Sequence, residues 1–330
     1  MVDEMEWGPE LDELRAREEM AERMGGEDKV ARQHDRGKLD IRQRIQELLD
    51  PGTFHENGKI AGTATYGPDG ELVDLSPSNF VFGRGRINNR PVVLAGDDFT
   101  VRGGAADASI VAKQIAAEQM AYELRLPIVR LVDGTGGGGS VKTLDTKAEE
   151  AGSNIEGSIG KGARTYVPLN PAWDHVVANL ATVPTVALCL GPVAGLGAAR
   201  AVSSHYSVMV KGLSQLFVAG PPLVNALGGE QVDKESLGSS RVHTRNGAID
   251  DEVVSEAEAF ERARRFLSYL PSSVYELPER GPITDRSDRT DSSLAGVVPR
   301  DRRKVYKMRT IIESVFDTGS FFEIGKDWGR

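Results

Sequence analysis

The chain has 330 residues, 39% of them hydrophobic and 27% charged, and its net charge is −9. This composition is typical of a globular protein of one large or two medium domains, and the acidic balance argues against a nucleic-acid surface. One cysteine, Cys189, excludes an internal disulfide and a cysteine-ligated zinc ribbon. No apolar run reaches the roughly 20 residues of a membrane helix, and the N-terminus lacks a secretory apolar region. We therefore expect a cytoplasmic protein.

The N-terminal part is predicted to be helical. Residues 10–49 are rich in Glu, Arg, Leu and Ala, with a break at Gly25-Gly26. Within 38–50 the apolar residues recur at helical spacing, and Pro51-Gly52 ends the pattern. Alternating strands follow over 58–67 and 78–98. Asn88-Asn89 suits a hairpin turn inside the second of these segments.

Repeating helix-and-strand units occupy the middle of the chain. A helix over 105–125 precedes a buried strand at 127–133, and a helix over 171–183 precedes a buried strand at 184–190. A further pair of strands is predicted at 207–212 and 215–220. Such units with buried strands indicate a layered α/β fold. The polar segment 276–304 reads as a long surface connection, and a last helix covers 305–317.

Two distant segments resemble each other within the chain. Residues 45–59, IQELLDPGTFHENGK, align without gaps with residues 312–326, IESVFDTGSFFEIGK. Seven positions are identical, and Arg42 matches Arg309 at the same offset. This pattern predicts that a second copy of the same domain begins near residue 305. The alternative is that these are two unrelated helix–turn–strand units that share residues typical of helix ends.

In the stretch 131-LVDGTGGGGSVKTLD-145, a predicted strand is followed by a run that is mostly glycine. A phosphate-binding P-loop requires glycine before Lys-Ser/Thr, but Val141 precedes Lys142 here. Gly134, Gly136 and Gly139 fit a dinucleotide fingerprint, yet the strand and acidic residue that should follow are not evident. A flexible linker is disfavoured by the adjacent buried strand. The favoured interpretation is a nest of backbone N–H groups that binds a developing oxyanion.

Catalytic side chains are scarce. The loop 191-GPVAGLGAA-199 has the same type of composition as the first loop and follows the next strand in matched register. None of the five histidines lies in a metal-ligand spacing, and each is better explained as structural or solvated. Glycine loops without a side-chain base favour chemistry whose base belongs to a cofactor.

The chain resembles the carboxyltransferase (β) subunits of biotin-dependent acyl-CoA carboxylases, the propionyl-CoA and methylcrotonyl-CoA carboxylase family. The resemblance runs from about residue 34 to the end. It rests on 36-RGKLDIRQRIQELLDPGTF-54, 84-RGRINNRPVVLAGDDFTVRGGA-105, 127-PIVRLVDGTGGGG-139, 191-GPVAGLGAA-199, 208-VMVKGLSQLFVAGPPLV-224 and 311-IIESVFDTGSFFEI-324.

The resemblance implies a crotonase-like α/β fold and acyl-CoA carboxyl transfer. Biotin would be carried on a separate carrier, with acyl-CoA as substrate and no metal on this chain. The enolate would be stabilised by backbone N–H groups, here placed at Gly137, Gly138 and Gly139. The implied substrate-binding residues are Arg102, Gly103, Gly104, Ala105, Gly136, Ala194, Gly195 and Gly197. Lys113, further along the same predicted helix, either assists substrate binding or is a solvated charge. Implied partners are a second-half carboxyltransferase chain or domain and the biotin carboxylase and carrier subunits, in an oligomer without nucleic acid or membrane.

The expected organisation is a helical segment at 1–50, a crotonase-like N-terminal carboxyltransferase domain at 51–304, and the start of a second homologous domain at 305–330. The glycine loop departs from the family pattern, because it is one residue longer and lacks the usual arginine. Two other functions stay open: a crotonase-type hydratase, isomerase or decarboxylase, for which Asp133 is the nearby acid, and a non-catalytic assembly subunit.

Overall fold

The computed structural model describes residues 7–104, 110–134, 172–228, 231–281 and 283–329. Its helices are α1 Gly8–Glu22, α2 Glu27–His34, α3 Ile41–Leu48, α4 Val111–Leu124, α5 Ala172–Leu180, α6 Leu196–Val202, α7 Pro221–Ala226, α8 Lys234–Gly238, α9 Ser240–Asn246, α10 Glu256–Ser268, α11 Leu294–Val297 and α12 Met308–Val315. None of these helices is both long and apolar enough to span a bilayer.

The strands are β1 His55–Asn57, β2 Gly62–Tyr66, β3 Leu72–Pro77, β4 Phe80–Ile87, β5 Arg90–Asp97, β6 Ile128–Val132, β7 Thr185–Cys189, β8 Pro192–Ala194, β9 Tyr206–Val210, β10 Gln215–Phe217 and β11 Asp251–Val253. Seven of them form one sheet in the order β1-β4-β5-β6-β7-β9-β11. The five strands from β5 to β11 in this order are parallel, whereas β1 and β4 run antiparallel to their neighbours.

Local sequence signals explain several element boundaries. The Asp40 carboxylate accepts a hydrogen bond from the Gln43 N–H, and the Gln43 side chain returns to the Asp40 N–H, which starts α3 with a capping box. Asn88 and Asn89 both have positive φ, 51° and 65°, as the two-residue turn between β4 and β5 requires. The predicted hairpin at these residues is therefore confirmed.

Helices cover both faces of the sheet. On one face, Ile41 and Ile45 of α3 and Phe260 of α10 pack with strand residues such as Val129 and Leu188. On the other face, Ala117 and Ala121 of α4 pack with Ile128, and α6 packs on β7. Alternate residues of β6 thus enter opposite layers, which explains why its sequence reads as one apolar run.

The structure differs from the sequence prediction in three places. The strands predicted at 207–212 and 215–220 do not pair with each other, because β9 lies in the main sheet and β10 pairs with β8 in a separate sheet. The last helix begins at Met308 rather than at residue 305. That helix also ends at Val315 rather than at residue 317.

Candidate functional site

The carboxyl ends of β5, β6 and β7 lie side by side at one edge of the sheet. Gly96 pairs with Leu131, and Leu131 pairs with Leu188, so the segments that follow these three strands leave the sheet together. In an open α/β sheet this edge is where ligands bind. The glycine-rich segments singled out from the sequence all begin here.

The segment after β5 makes a tight left-handed turn. Arg102, Gly103 and Gly104 have φ values of 53°, 64° and 66°. This region is ordinary for glycine but costs about 1–3 kcal/mol for a residue with a side chain such as Arg102. The turn is supported by Asp98, whose carboxylate accepts hydrogen bonds from the N–H and Oγ1 of Thr100.

Gly104, Gly134 and Ala194 meet backbone to backbone. A Cβ atom on Gly104 would lie 2.6 Å from the Cα of Gly134, so no larger residue fits there without movement. The Ala194 N–H donates to the carbonyl of Gly134 at 3.1 Å. The structure therefore brings together two of the predicted substrate-binding residues, Gly104 after β5 and Ala194 after β7. Both contact Gly134, the first glycine of the loop after β6.

Several of the predicted substrate-binding residues use their N–H groups within the chain. Gly104 donates to the carbonyl of Val101 at 3.2 Å, and Gly195 donates to that of Phe217 at 3.1 Å. Gly197 packs α6 inward, because a Cβ there would lie 3.2 Å from Cγ1 of Val193. Gly104 and Gly195 can thus give a ligand room for close approach, whereas hydrogen bonds to it must come from other groups.

Ala105, Gly136, Gly137, Gly138 and Gly139 lie outside the described residues. The oxyanion site assigned to the last three of these glycines therefore stays a prediction. The same holds for the part of the loop after β6 that follows Gly134.

A buried ionic network lies directly beneath Gly134. Oδ1 of Asp133 accepts a hydrogen bond from Nζ of Lys38 at 2.7 Å, and Oδ2 accepts one from Nη1 of Arg44 at 2.8 Å. Arg44 also donates to Glu256 through Nε at 2.8 Å and Nη2 at 2.9 Å. Burial lowers the pKa of Lys38, and the Asp133 carboxylate opposes that shift. Both oxygens of Asp133 are therefore committed to cations.

Asp97 is a second acid at this edge that sequence reasoning missed. Its Oδ2 accepts a hydrogen bond from the Asp133 N–H at 3.1 Å, and its Oδ1 lies 3.9 Å from Nη2 of Arg200. Burial raises the pKa of Asp97, and the Arg200 charge opposes the rise. Its position at the end of a strand, directly after the glycine of 95-AGD-97, was the available signal.

Other candidate reactive groups are structural. Cys189 is buried, and burial raises the pKa of its thiol to about 12, which confirms the core assignment. His205 is held by Thr185 and the carbonyl of Leu180, and His243 contacts the carbonyl of Leu216. Lys113 is buried rather than solvated, because α4 packs it beside Gly58.

Comparisons with known proteins agree with this geometry. A family model described as "Carboxyl transferase domain" matches residues 32–330. The chain is 30% identical to "Propionyl-CoA carboxylase, carboxyltransferase subunit" of Haloferax mediterranei, over 97% of this chain and 58% of that protein. It is also 30% identical to the mitochondrial propionyl-CoA carboxylase beta chain of Homo sapiens, over 93% of this chain and 54% of that one.

A similar solved structure is transcarboxylase 12S with methylmalonyl-coenzyme A and methylmalonic acid bound. The TM-score is 0.79 at 25% identity, and the match covers 96% of this chain and 58% of that chain. The crotonase-like α/β fold predicted from the sequence is thereby confirmed. The chain spans less than two thirds of the length of each of these relatives.

Proposed function

The chain belongs to the carboxyl transferase family, and from this premise we propose that it is an acyl-CoA carboxyltransferase component. It would transfer a carboxyl group from carboxybiotin to the α-carbon of an acyl-CoA through an enolate. Biotin on a separate carrier would supply the carboxyl group and accept the α-proton. Backbone N–H groups of the loop after β6 would hold the enolate oxygen.

The observation that carries this proposal is the state of the Asp133 carboxylate. A hydratase or isomerase of this fold needs an acidic side chain near the reacting carbon to move a proton. Asp133 is fully buried, and Lys38 and Arg44 occupy both of its oxygens, so it cannot take that role. The network instead fixes the strand end from which the glycine loop starts, so that the loop begins at a defined position.

The described residues of the site leave space for a ligand to approach the backbone closely. The close contact of Gly104 with Gly134, and the turn at Gly195, let backbone approach a flat thioester without side chains in the way. Such an arrangement would bind and orient the acyl group. Asp133 and Asp97 at this edge are buried, and burial of this kind would strengthen a hydrogen bond to the enolate.

We further propose that residues 305–330 open a second copy of the domain. Helix α12 runs from position 308 to 315 and α3 from position 41 to 48, an offset of 267 at both ends. The residues after the two helices, Leu49 and Phe316, have nearly the same backbone angles, φ −92° and ψ 157° against φ −89° and ψ 159°.

Side-chain contacts repeat at the same offset. Arg42 forms an ion pair with Glu56, and Arg309 forms one with Glu323 at 2.7 Å. Burial does not repeat: Leu48 is fully buried under the sheet, whereas its counterpart Val315 is 61% exposed. The apolar face of α12 therefore fits the sheet of a second, homologous domain, as the face of α3 fits this one.

The test is carboxyl transfer from carboxybiotin to propionyl-CoA, with the chain alone and with a co-expressed second-half domain. We expect transfer when the second half is present, and loss of transfer in a Gly138→Val variant that keeps its unfolding midpoint. Acyl-CoA binding without transfer in either setting would support a crotonase-type reaction, and absence of both would support a non-catalytic assembly subunit.

Asp97 carries the crotonase-type alternative, because it lies beside Asp133 at the strand edge and its carboxylate is not paired with two cations. An Asp97→Asn variant retains an oxygen that can accept the Asp133 N–H but cannot act as a base. We expect it to keep carboxyl transfer within about threefold, since one side-chain base contributes about 10²–10⁴-fold where it acts. A loss of that size would assign proton transfer to Asp97 and overturn the proposal of a side-chain-free base.

A further inference from the structure

The connection between α1 and α2 lies against the turn after β5. Gly25 makes the contact, and its N–H donates to Oγ1 of Thr100 at 2.9 Å. A Cβ atom on Gly25 would lie 2.2 Å from the carbonyl oxygen of Thr100, so only glycine allows this approach. The glycine pair that interrupts the helical pattern in the sequence therefore has a packing reason at Gly25.

The Thr100 hydroxyl joins two distant parts of the chain. It accepts a hydrogen bond from the Gly25 N–H and donates one to Oδ1 of Asp98 at 2.6 Å, and we call these two bonds the Thr100 bridge. The same carboxylate oxygen accepts the Thr100 N–H at 2.9 Å. Burial raises the pKa of Asp98, and the hydrogen bonds from Thr100 oppose the rise. Because Asp98 is only 2% exposed, loss of the hydroxyl would leave a buried carboxylate with fewer donors.

The backbone that follows Thr100 leads directly to the candidate site. Residues 102–104 all have positive φ, a region that is costly for a residue with a side chain. The Gly104 N–H donates to the carbonyl of Val101 at 3.2 Å, and Gly104 packs on Gly134 at the strand edge. A turn of this kind keeps one conformation only where the surrounding contacts determine it. The Thr100 bridge supplies such contacts at the start of the turn.

We propose that Thr100 is a positioning residue for the carboxyl-transfer site. The Thr100 bridge ties the α1–α2 connection to Asp98, and this holds the turn at residues 102–104 in the conformation that places Gly104 on Gly134. Thr100 takes no part in the chemistry and acts through the backbone of Gly104. The inference rests on the proposed function, and it gives the predicted N-terminal helical segment a role in the site.

Two substitutions of Thr100 separate the hydroxyl from the volume of the side chain. Thr100→Val keeps the branched shape but removes the Thr100 bridge, and it should lower kcat/KM for propionyl-CoA in the assembled enzyme by about tenfold or more. Thr100→Ser should stay within about threefold of the wild type, because serine keeps a hydroxyl that both donates and accepts. Each assay is run well below the unfolding midpoint of the variant, so that unfolded protein does not contribute to the loss.

Thr182→Val is the matched control for the loss of a buried hydroxyl. Thr182 is 8% exposed, and its Oγ1 donates to the carbonyl of Ala178 at 2.8 Å. It precedes β7 and so lies at the opposite end of that strand from the candidate site. This variant should unfold at a lower temperature but keep kcat/KM within about twofold, since it is distant from the turn. A fall in kcat/KM as large as that of Thr100→Val would assign the effect to general destabilisation and overturn the inference.

Gly25→Ala tests the Thr100 bridge from the side of the N-terminal helices. The added methyl group collides with the Thr100 carbonyl, so this variant should also lower kcat/KM by about tenfold. Combined with Thr100→Val it should lower kcat/KM little further, because both changes break the same contact. Gly8→Ala on α1 should have no effect, since a Cβ there meets nothing within 4 Å. Multiplied effects in the double variant would show that the two residues act separately and would contradict the bridge.

The wild-type assay separates failure of this inference from failure of the proposed function. If the wild type transfers no carboxyl group to propionyl-CoA, the proposed function is wrong, and Thr100 has no such site to position. If the wild type is active and Thr100→Val is equally active, the inference alone is wrong. It is also wrong if Thr100→Ser loses as much activity as Thr100→Val, because the hydroxyl would then not be the group that matters.

Discussion

Gly191 shows how a single residue constrains the candidate site. A Cβ atom at this position would collide with Oδ1 of Asp133 and lie 2.5 Å from Nζ of Lys38. Glycine is therefore required here by the ion pair above it rather than by an unusual backbone angle. The sequence indicated a turn at this position, and the structure gives the reason for the missing side chain.

Gly191→Ala should lower the free energy of unfolding by about 3 kcal/mol, since the added methyl group separates a buried ion pair or distorts the turn. Urea unfolding followed by circular dichroism measures this change. Gly281→Ala serves as the control, because a Cβ there meets nothing within 4 Å, and it should stay within about 0.5 kcal/mol. Equal stability of the two variants would contradict the assigned packing.

Because the ammonium of Lys113 is buried, we predict that the free energy of unfolding depends on pH. Burial lowers the pKa of its ammonium to about 8, and the Glu56 carboxylate opposes the shift. The unfolded chain, with a lysine pKa of about 10.4, binds the proton more tightly, so the buried charge destabilises the fold below about pH 8. That cost is relieved as pH rises from about 8 towards 10.4.

Lys113→Met should raise the free energy of unfolding at pH 7 by up to about 3 kcal/mol, the value of a shift of that size. The gain should shrink between pH 8 and pH 10. Unfolding curves at several pH values for the wild type and the variant give the difference directly. A gain that is constant with pH would show that packing, not the charge, is responsible.

At the scale of elements, Arg44 joins three parts of the fold. It lies on α3 and is fully buried, and its guanidinium contacts Asp133 after β6, Glu256 on α10 and the carbonyl of Leu190 after β7. Burial alone would lower the pKa of Arg44, but Asp133 and Glu256 more than offset it, so the pKa is raised. The charged state of this network holds α3 and α10 against the strand edge.

Arg44→Leu should destabilise the fold by about 3–5 kcal/mol, because two carboxylates are left buried with fewer cations. Arg44→Lys should fall between the wild type and Arg44→Leu, since it keeps the charge but loses the planar fork. Thermal unfolding ranks the three proteins. As a comparison, Arg15→Leu on α1 removes an exposed pair with Asp12 and should change the midpoint little. A midpoint for Arg44→Leu no lower than that of Arg15→Leu would refute the network's role.

At the scale of the whole molecule, the matching helices α3 and α12 differ in how far they are buried. Ile45 on α3 is 4% exposed in the main core, whereas Ile312, its counterpart on α12, is only partly buried, and its neighbours Met308 and Val315 are 50% and 61% exposed. Substitutions at Ile45 and Ile312 therefore allow the folding of this chain to be tested separately from its association with a second domain.

Ile45→Asp should unfold the chain, because a carboxylate would replace a core side chain. Ile312→Asp should leave the unfolding midpoint of this chain nearly unchanged but abolish its association with a second-half domain. Sedimentation velocity of the co-expressed chains measures that association. Persistent association of the Ile312→Asp variant would remove α12 from the proposed interface.

The sequence by itself determined the elements with strong local signals. The apolar run around β6 and the Asn88-Asn89 turn follow from short-range chemistry, and the repeating helix-and-strand units predicted the α/β fold. The family was predicted from the resemblance of longer motifs, such as 127-PIVRLVDGTGGGG-139. Local patterns could not pair β10 with β8 rather than β9, because that choice depends on the layers between which the strand lies.

Only the tertiary structure decided which side chains meet at the strand edge. Lys38, Arg44, Asp133 and Glu256 are distant in sequence, and each alone reads as an ordinary surface charge. Their pairing depends on α3 and α10 packing on the same face of the sheet, where burial makes unpaired charge too costly. Sequence periodicity determines what each element is, and the exclusion of water between elements determines which of their charges act together.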